Sequence, residues 1–484
     1  MNKKIVVNVI SKILLLEAIL MLLPATVSLY YNEQKSVKTF LLVALATALI
    51  SLPFILIKPK NFKINSREGI AIAAICWIII PVFGAVPFFV SGEIPHFIDA
   101  VFESVSGFTT TGSTILTDIE AMSRGMLFWR SFTHWVGGMG VLVLTIAILP
   151  SDKKSSSLNL MKGECPGPQV GKLVPKGKYS ALILYIIYAV LTIILIVLLV
   201  LGDMPLFDSV CHAMGTAGTG GFGIKNSGIA FYDSAYIDGV ISVFMILFGI
   251  NFNIYYFIII RKFSYVYKNT ELKAYLSIMF VSVIAILINI YNIYGSVLKS
   301  FRYSLFQVSS IMTSTGFATA DYNQWPEFSK MLLIVLMFIG ACAGSTGGGF
   351  KVARVVIMFK SAKKSIKKML HPKSVSVVKS DDKAIDIETV HGVHGYLIIY
   401  LGLVVISLLL ISINNFDFAT SFSSVATCIN NIGPGISKIG PIDNFSQFSI
   451  LSKIVLSFDM LLGRLECMPL IMVLSPSIWK KKFY

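Results

Sequence analysis

Long apolar stretches separated by short polar segments make up most of this chain of 484 residues. Ten of the stretches reach about 20 residues, the length that an α-helix needs to cross a lipid bilayer. They lie near residues 5–30, 37–57, 69–90, 124–149, 179–202, 234–260, 272–294, 328–358, 395–413 and 448–474. Ten crossings place both ends of the chain on the same side of a membrane.

A short motif recurs four times between the later stretches. Its copies are Thr110-Thr111-Gly112, Thr219-Gly220-Gly221, Ser314-Thr315-Gly316 and, more loosely, Asn431-Ile432-Gly433. The apolar run before each copy is too short to cross a bilayer; these runs are residues 97–108, 206–218, 301–313 and 418–429. Irregular backbone at membrane depth is tolerated only where protein buries it or water reaches it. The pattern therefore predicts four short helices and four glycine turns around one hydrated axis.

The residues before each motif support this prediction. Twelve positions before the final glycine the residue is always small, and nine positions before it the residue is always polar or charged. The small residues are Ala100, Ser209, Ser304 and Ser421, and the polar ones are Glu103, His212, Gln307 and Ser424. One such turn is easily accidental in an ordinary loop, but four copies in register with the predicted spans disfavour that alternative.

The chain is therefore predicted to be an all-α polytopic membrane protein with four pseudo-repeated units around a central pore. Each unit consists of a first span (M1), a short pore helix and a second span (M2). The predicted units, called quarters 1 to 4 below, are residues 63–150, 151–263, 264–383 and 384–484. Residues 1–62 carry no motif and are predicted to form an N-terminal transmembrane hairpin. Its first apolar run is too long for a signal peptide and is interpreted as a retained helix.

Composition and charge agree with this architecture. Hydrophobic residues make up 55% of the chain, charged residues 14%, and the mean hydropathy is +0.77, which excludes an ordinary soluble protein. The net charge of +16 arises largely from Lys and Arg in alternate loops and at both chain ends. By the positive-inside rule these segments are cytoplasmic, so the charge indicates topology and not a nucleic-acid partner. The six cysteines are scattered and predict neither a disulfide framework nor a zinc site.

The repeated turns have the chemistry of a cation filter. Rings of backbone carbonyl oxygens can replace the water shell of a potassium-sized cation. Turning successive carbonyls toward one axis requires alternating backbone handedness, which glycine adopts without steric penalty. Thr and Ser hydroxyl groups can extend the ladder of oxygens, and the C-terminal end of each short helix adds partial negative charge. We therefore predict that the residues of the four motif copies bind potassium.

Residues 340–350 interrupt the second span of quarter 3. Five glycines in this segment disfavour a continuous helix, since each costs up to about 1 kcal/mol relative to alanine. A nucleotide-binding phosphate loop is disfavoured, because the segment lacks the GxxxxGK[ST] spacing and lies within a span. We predict a flexible intramembrane loop under the filter, with the candidate gate residues Gly344, Ser345, Thr346, Gly347, Gly348, Gly349 and Lys351.

Arg464 lies within the last apolar stretch, where an arginine is costly unless it faces protein, water or a counter-ion. One interpretation is that its side chain reaches the cytoplasmic surface or pairs with Asp459 or Glu466. The other places it in the pore beside the glycine loop, where its charge repels cations while the pore is shut. Two readings also stay open for Glu103, which either enriches cations near the filter or hydrogen-bonds a neighbouring unit. His134 is interpreted as part of close helix packing.

These motifs resemble the Trk/Ktr superfamily of potassium uptake proteins, in particular the TrkH-type membrane subunit, over essentially the whole chain. The matching filter segments are residues 102–103 with 109–114, 219–222, 315–317 and 430–435. The resemblance makes Gly112, Gly221, Gly316 and Gly433 the filter glycines; the choice of Gly221 over Gly220 keeps the following phenylalanines of quarters 2 and 3 aligned. Segments 344–349, 351–354 and 463–466 resemble the family's gate loop and pore arginine.

The resemblance implies potassium uptake across a bacterial inner membrane through a channel-like pore, with both termini cytoplasmic. It also implies a homodimer among membrane lipids and a cytosolic TrkA-type regulatory subunit that binds ATP, ADP or NAD. The basic cytoplasmic loop 351–383 is a candidate contact for that subunit or for anionic lipids. Because each quarter offers one dependable glycine, discrimination against sodium is expected to be weaker than in tetrameric channels with a TVGYG filter.

Two other functions are weighed against this one. A secondary transporter that couples potassium to protons or sodium often uses inverted repeats and intramembrane carboxylates. Here the predicted repeats are parallel and the pore region has few carboxylates. A membrane enzyme acting on lipid needs clustered His, Asp, Glu or Ser at a membrane face, which the sequence does not show. No catalytic residue and no bound cofactor are expected, and K⁺ is the transported ion.

Overall fold

The computed structural model describes residues 3–57, 64–140, 177–374, 377–381 and 383–479. The N-terminal hairpin consists of α1 (Lys3–Leu20), α2 (Leu22–Tyr30) and α3 (Gln34–Ile55). Quarter 1 contains α4 (Ser66–Ser91), the pore helix α5 (Phe97–Phe108) and α6 (Arg124–Gly138). Quarter 2 contains α7 (Gly177–Leu201), the pore helix α8 (Leu206–Gly218), α9 (Ala235–Phe248) and α10 (Phe252–Ile259), and α11 (Phe263–Lys268) links it to quarter 3.

Quarter 3 contains α12 (Thr270–Tyr294), the pore helix α13 (Val297–Met312), α14 (Glu327–Ile339) and α15 (Val352–Leu370). A small antiparallel ribbon follows, formed by β1 (Lys379–Ser380) and β2 (Lys383–Ala384), with Lys379 opposite Ala384. Quarter 4 contains α16 (Ile387–Ile411), the pore helix α17 (Phe418–Ile429), α18 (Ile450–Arg464), α19 (Met468–Leu474) and α20 (Pro476–Trp479). The order of first helix, short helix and second helix thus recurs four times, as predicted.

Six helical segments of the described residues are long and apolar enough to cross a membrane. They are Lys3–Tyr30, Gln34–Ile55, Ser66–Ser91, Ala181–Leu201, Thr270–Tyr294 and Ile387–Asn414, so they comprise the hairpin and the first helix of every quarter. Their outward faces are apolar and exposed, as at Leu45, Ile193, Ile288 and Ile406. These faces suit contact with lipid tails.

The second helices of quarters 2 and 4 differ from the prediction, because they are not continuous spans. In quarter 2, α9 and α10 meet at 90° across a three-residue break. In quarter 4, α18 ends at Arg464, and Glu466 and Cys467 adopt positive φ before α19 begins. In quarter 1, α6 ends at Gly138, and the rest of the predicted span, 141–149, lies outside the described residues. The predicted spans near 234–260 and 448–474 are therefore each divided into two helices.

A physical reason accounts for the breaks in quarters 2 and 3. Hydropathy averaged over a span does not detect a break of a few residues whose polar backbone groups are satisfied by a neighbouring element. The glycine loop donates Cys342 N–H to Gly249 O (3.1 Å), and Gly344 O accepts from Phe252 N–H (3.0 Å). Each broken helix thus supplies the hydrogen-bond partners that the other lacks, as irregular backbone inside a membrane requires.

Polar contacts hold both ends of the hairpin, at one end within the hairpin itself and at the other to quarter 1. Asn8 Nδ2 donates to Ile55 O (2.9 Å) and closes the open end of the hairpin. The Glu33 carboxylate, in the turn before α3, accepts from the backbone N–H groups of Arg124 (2.6 Å) and Gly125 (3.0 Å). A carboxylate at this position satisfies free donors at the N-terminus of α6. The added helices therefore brace the quarter that they precede.

Candidate ion pathway and gate

Each pore helix ends in a turn with the same backbone conformation. Two residues before each filter glycine, a non-glycine residue adopts the left-handed region: φ is 56° at Thr110, 53° at Thr219, 58° at Ser314 and 55° at Asn431. The glycines follow with φ of 83° at Gly112, 78° at Gly221, 82° at Gly316 and 96° at Gly433. Left-handed backbone is costly for residues other than glycine. The same costly conformation at four equivalent positions indicates one structural unit used four times.

The hydrogen bonds of these turns also repeat. The backbone N–H of the middle motif residue donates to the carbonyl five positions earlier, from Thr111 to Ser106 (2.9 Å), Gly220 to Gly215 (2.8 Å), Thr315 to Ser310 (2.8 Å) and Ile432 to Thr427 (3.0 Å). In the first three quarters the hydroxyl of Thr110, Thr219 or Ser314 donates to the preceding carbonyl at 2.6–2.7 Å. These bonds hold each turn onto the end of its own pore helix.

The four turns contact one another in a closed ring. A Cβ atom added to Gly112 would collide with the carbonyl oxygen of Gly220, and one on Gly221 with that of Thr315. One on Gly316 would collide with the Ile432 carbonyl oxygen, and one on Gly433 would lie 2.8 Å from that of Thr111. The contacts run from quarter 1 to 2, 2 to 3, 3 to 4 and 4 to 1. Every glycine is therefore required both by its backbone conformation and by the carbonyl of the next quarter.

Quarter 2 contains two glycines for two different reasons. Gly221 has the positive φ that corresponds to the glycines of the other quarters. Gly220 has no such conformation, but a Cβ atom there would collide with the imidazole ring of His134. The geometry thus pairs Gly221 with Gly112, Gly316 and Gly433, the alignment that the following phenylalanine favours.

His134 does more than fill space between helices. Its Nδ1 lies 2.7 Å from the Gly107 carbonyl of the first pore helix, and its Nε2 accepts from Phe222 N–H (3.2 Å) just after the second filter turn. The ring also stacks obliquely on Phe222, with centroids 4.2 Å apart. His134 therefore links quarter 1 to the filter turn of quarter 2, a role that sequence reasoning missed because His134 is remote from both motifs in the chain.

Glu103 is fully buried, and the hydrogen-bond partners that the structure gives it lie within its own quarter. It accepts from Arg130 Nε (2.5 Å), from Thr114 Oγ1 (2.9 Å) and from Ile115 N–H (3.0 Å). Arg130 also contacts quarter 2. Its Nη1 donates to Gly223 O (2.8 Å), and its guanidinium lies 3.7 Å from the Phe222 ring centroid. A buried pair with all of these partners fixes the loops that follow the first two filter turns. The sequence singled out Glu103 but not Arg130.

The fourth turn differs in chemistry from the others. In quarters 1 and 3 a pair of threonine hydroxyls lies 2.8 Å apart beneath the turn, Thr109 with Thr111 and Thr313 with Thr315. In quarter 4, Asn431 Nδ2 instead donates hydrogen bonds to Thr111 Oγ1 (2.9 Å) and to Met460 O (2.8 Å). The amide therefore connects the fourth turn to the first turn and to its own second helix.

The glycine loop lies directly against the filter turns of quarters 3 and 4. Gly348 N–H donates to Ser314 Oγ, and a Cβ atom on Gly348 would collide with the Asn430 carbonyl oxygen. A Cβ atom on Gly347 would lie 2.8 Å from the Thr313 carbonyl oxygen. The Lys351 ammonium group donates to Gly347 O and so closes the loop on itself. The loop is thus packed compactly against these turns and is not an extended linker.

Arg464 reaches the loop, the first filter turn and the C-terminal end of α6. Its Nη1 donates to Thr346 O (2.9 Å) and lies 3.3 Å from Thr110 Oγ1. Its Nη2 donates to the carbonyl oxygens of Gly137 and Gly138, the latter at 2.6 Å, where α6 ends. Broken helices leave such carbonyls free, and they offer an arginine the acceptors it needs in a membrane.

The two carboxylates considered as partners of Arg464 have other partners. Glu466 forms an ion pair with Arg354, whose guanidinium also lies 4.2 Å from the Tyr396 ring centroid. Asp459 accepts from Ser407 Oγ at 2.7 Å. Arg354 stands in the first turn of α15, so this second pair ties the helix after the loop to the break of quarter 4.

A bundle of apolar first helices, broken second helices and a ring of glycine turns is the architecture of a membrane transport protein. A family model for TrkH, described as a cation transport protein, matches residues 33–481. The chain is 32% identical to the Trk system potassium uptake protein TrkH of Salmonella typhimurium, covering 99% of this chain and 100% of that one. It is also 32% identical to the Trk system potassium uptake protein TrkG of Escherichia coli strain K12, with 99% of each chain covered.

The fold agrees with these sequence comparisons. The crystal structure of the potassium transporter TrkH from Vibrio parahaemolyticus superimposes with a TM-score of 0.89 at 29% identity, covering 99% of this chain and 100% of that one. The chain therefore belongs to the TrkH family of cation transport proteins, a family of transporters and not of enzymes.

Proposed function

We propose that this protein takes up potassium through a pore that runs along the axis of the four turns. The closed ring of glycine–carbonyl contacts is the observation that supports this best, because it brings one carbonyl oxygen of each quarter against the glycine of another quarter. Backbone carbonyls in a ring can replace the hydration shell of a cation. The names of the relatives, potassium uptake proteins of the Trk system, favour K⁺ as that cation.

In this proposal the filter consists of the four turns themselves. Thr111, Gly220, Thr315 and Ile432 contribute the ring of carbonyl oxygens, and their neighbours add further oxygens above and below. The remaining filter residues are Thr110, Gly112, Thr219, Gly221, Ser314, Gly316, Asn431 and Gly433. The ends of four pore helices supply partial negative charge at the same level.

The gate in this proposal is the glycine loop together with Arg464. Residues 344–349 pack against the filter turns, and Lys351 holds the loop in its compact form. Arg464 contributes a positive charge next to Thr110 and Thr346. A cation passing this level would meet both an obstacle and a like charge, so the loop and the arginine must move before ions flow.

The same proposal includes the setting of the protein. Both chain ends and the basic segment 351–383 face the cytoplasm of a bacterial cell, and the filter faces outward. The protein works as a homodimer in the inner membrane. A cytosolic TrkA-type subunit that binds ATP, ADP or NAD controls the gate.

Cation flux into liposomes that contain the purified protein tests the filter. We expect uptake of K⁺ and Rb⁺ to exceed that of Na⁺, and we expect Gly316→Ser to lower this preference because the new side chain displaces the Ile432 carbonyl. Gly402→Ser is the matched control, since a Cβ atom at Gly402 meets nothing within 4 Å. Unchanged ion preference in Gly316→Ser would overturn the filter assignment. Unitary currents in a planar bilayer would support a pore, whereas strict coupling to H⁺ or Na⁺ would favour the secondary transporter.

A further inference from the structure

Glu271, in the first turn of α12, holds two distant points of the gate segment with one carboxylate oxygen. Its Oε1 accepts from the backbone N–H of Ala343 (2.6 Å), inside the glycine loop. The same atom accepts from the backbone N–H of Ala353 (3.1 Å), in the first turn of α15 after the loop. Between these two alanines lie residues 344–352, which include every candidate gate residue except Arg464.

These two bonds matter because both donors are otherwise without a regular partner. Ala343 is in irregular backbone, and Ala353 is among the first residues of α15, whose N–H groups have no acceptor within the helix. Hydrogen bonds to an ionised acceptor are stronger than those between neutral groups. Since one oxygen serves both donors, the entry and exit of the loop are held together. Any movement that separates Ala343 from Ala353 must break at least one of the bonds.

The residue before Glu271 is fastened to the ribbon that follows α15. Thr270 N–H donates to Asp381 Oδ1 (2.7 Å), and Asp381 N–H donates to Thr270 Oγ1 (3.2 Å). Asp381 stands next to β1 in a left-handed conformation, with φ of 49°. Lys360 of α15 donates to Lys379 O (2.8 Å), so the helix after the loop is tied to the same ribbon.

We propose that Glu271 is a positioning residue that holds the gate segment shut, and that the reciprocal bonds between Thr270 and Asp381 fix Glu271 in place. The inference rests on the proposed gate, because it assigns a holder to the loop that forms that gate.

Basal Rb⁺ uptake by liposomes containing the full-length protein alone tests the proposal. We expect Glu271→Ala to raise uptake about tenfold, the change in equilibrium that corresponds to the net worth of one charge-assisted hydrogen bond. Glu271→Gln retains a neutral oxygen acceptor at the same place, whose hydrogen bonds are weaker, so it should raise uptake clearly less than Glu271→Ala does. The ratio of Rb⁺ to Na⁺ uptake should stay constant in both variants, whereas a misfolded pore would lose it.

Glu388→Ala is the matched control, because Glu388 occupies the first turn of the corresponding helix α16 and is exposed. It should leave uptake unaltered. Asp381→Ala should raise uptake less than Glu271→Ala does. The double variant should not exceed Glu271→Ala alone, since both substitutions act through one contact. Unaltered uptake in Asp381→Ala, or additive effects in the double variant, would overturn the role of the ribbon.

Arg464→Ala in the same assay separates this inference from the proposed gate. If Arg464→Ala raises uptake while Glu271→Ala leaves it unaltered or lowers it, Glu271 does not hold the gate, although the gate itself stands. If neither substitution raises uptake, the gate assignment is wrong and the inference is wrong with it. Equal uptake in Glu271→Ala and Glu271→Gln would also overturn it, because loss of charge and not loss of an acceptor would then explain the effect.

Discussion

Two regions of the molecule are built in opposite ways. One is the ring of four glycine turns, called the upper level below; the other, called the lower level, consists of the second helices and the glycine loop. At the upper level the four quarters share backbone angles, hydrogen bonds and glycine–carbonyl contacts. At the lower level the second helices of quarters 2, 3 and 4 are interrupted by three different features: a sharp bend, a glycine loop and a pair of residues with positive φ. In quarter 1 the described helix α6 ends at Gly138. The comparison teaches that fourfold repetition belongs to the proposed filter, whereas differences among quarters belong to the proposed gate.

The largest expected effect concerns the support of the upper level. Glu103→Ala leaves the buried guanidinium of Arg130 without its partner, which costs about 3–5 kcal/mol in comparable buried pairs. We expect a large loss in the free energy of unfolding, measured with denaturant in detergent micelles. Glu327→Ala is the control, because Glu327 pairs with Lys330 while its own side chain is 77% exposed. Equal losses in both variants would show that the upper level does not depend on this pair.

The next effect concerns the ring itself. Gly221→Ala places an L-residue in left-handed backbone, which costs about 1–2 kcal/mol, and drives its methyl group into the Thr315 carbonyl. Uptake of Rb⁺ into liposomes should fall more than about tenfold, since 1.4 kcal/mol corresponds to tenfold. Gly402→Ala should have no such effect, because that position has open space. Normal uptake by Gly221→Ala would contradict a ring in which all four turns must fit.

The third effect moves to the lower level and has the opposite sign. Arg464→Ala removes the hydrogen bonds to Thr346, Gly137 and Gly138, so basal Rb⁺ uptake should rise about tenfold. Arg464→Lys keeps the charge but lacks the fork that reaches all three carbonyls, and its rise should be smaller. If Arg464→Ala lowered uptake, as a filter substitution does, the proposed division between a filter at the upper level and a gate at the lower level would be wrong.

The smallest expected effect lies where the two levels meet. Asn431→Thr makes the fourth motif similar to the others but removes the amide bonds to Thr111 and Met460. The threonine hydroxyl offers one donor in place of these two bonds, so the net loss of one bond, about 1 kcal/mol, should reduce uptake about fivefold with little change in folding. If Asn431→Thr reduced uptake more than Gly221→Ala does, the fourth turn would contribute to the filter as strongly as the other turns, despite its different chemistry.

The sequence predicted the upper level better than the lower one for a physical reason. Gly112, Gly316 and Gly433 occupy positions where the backbone needs a positive φ. This requirement is local, so the spacing of residues within one quarter is enough to reveal it. The bend at Gly249 and the break after Arg464 depend on partners from other quarters, and hydropathy over a whole span hides them. His134 and Arg130 were missed as links between quarters for the same reason.

In the candidate gate, too, one part could be predicted from the sequence and another could not. The glycine loop was predicted from its composition alone, since so many glycines rarely occur within a span. Its holder, Glu271, was not, because an acidic residue in the first turn of a helix is ordinary in any sequence. Only the fold brings its carboxylate to Ala343 and Ala353, which lie more than seventy positions further along the chain.

The ring of turns comes from one polypeptide, and this has a consequence for how such a pore can change over time. In a channel assembled from four identical chains, one altered codon changes all four walls at once. Here a codon change alters a single wall, as the asparagine at position 431 illustrates beside the hydroxyl residues of the other turns. Ion preference and gating can therefore diverge in small, independent steps at positions such as 431, where a different side chain leaves the glycine–carbonyl contacts of the ring in place.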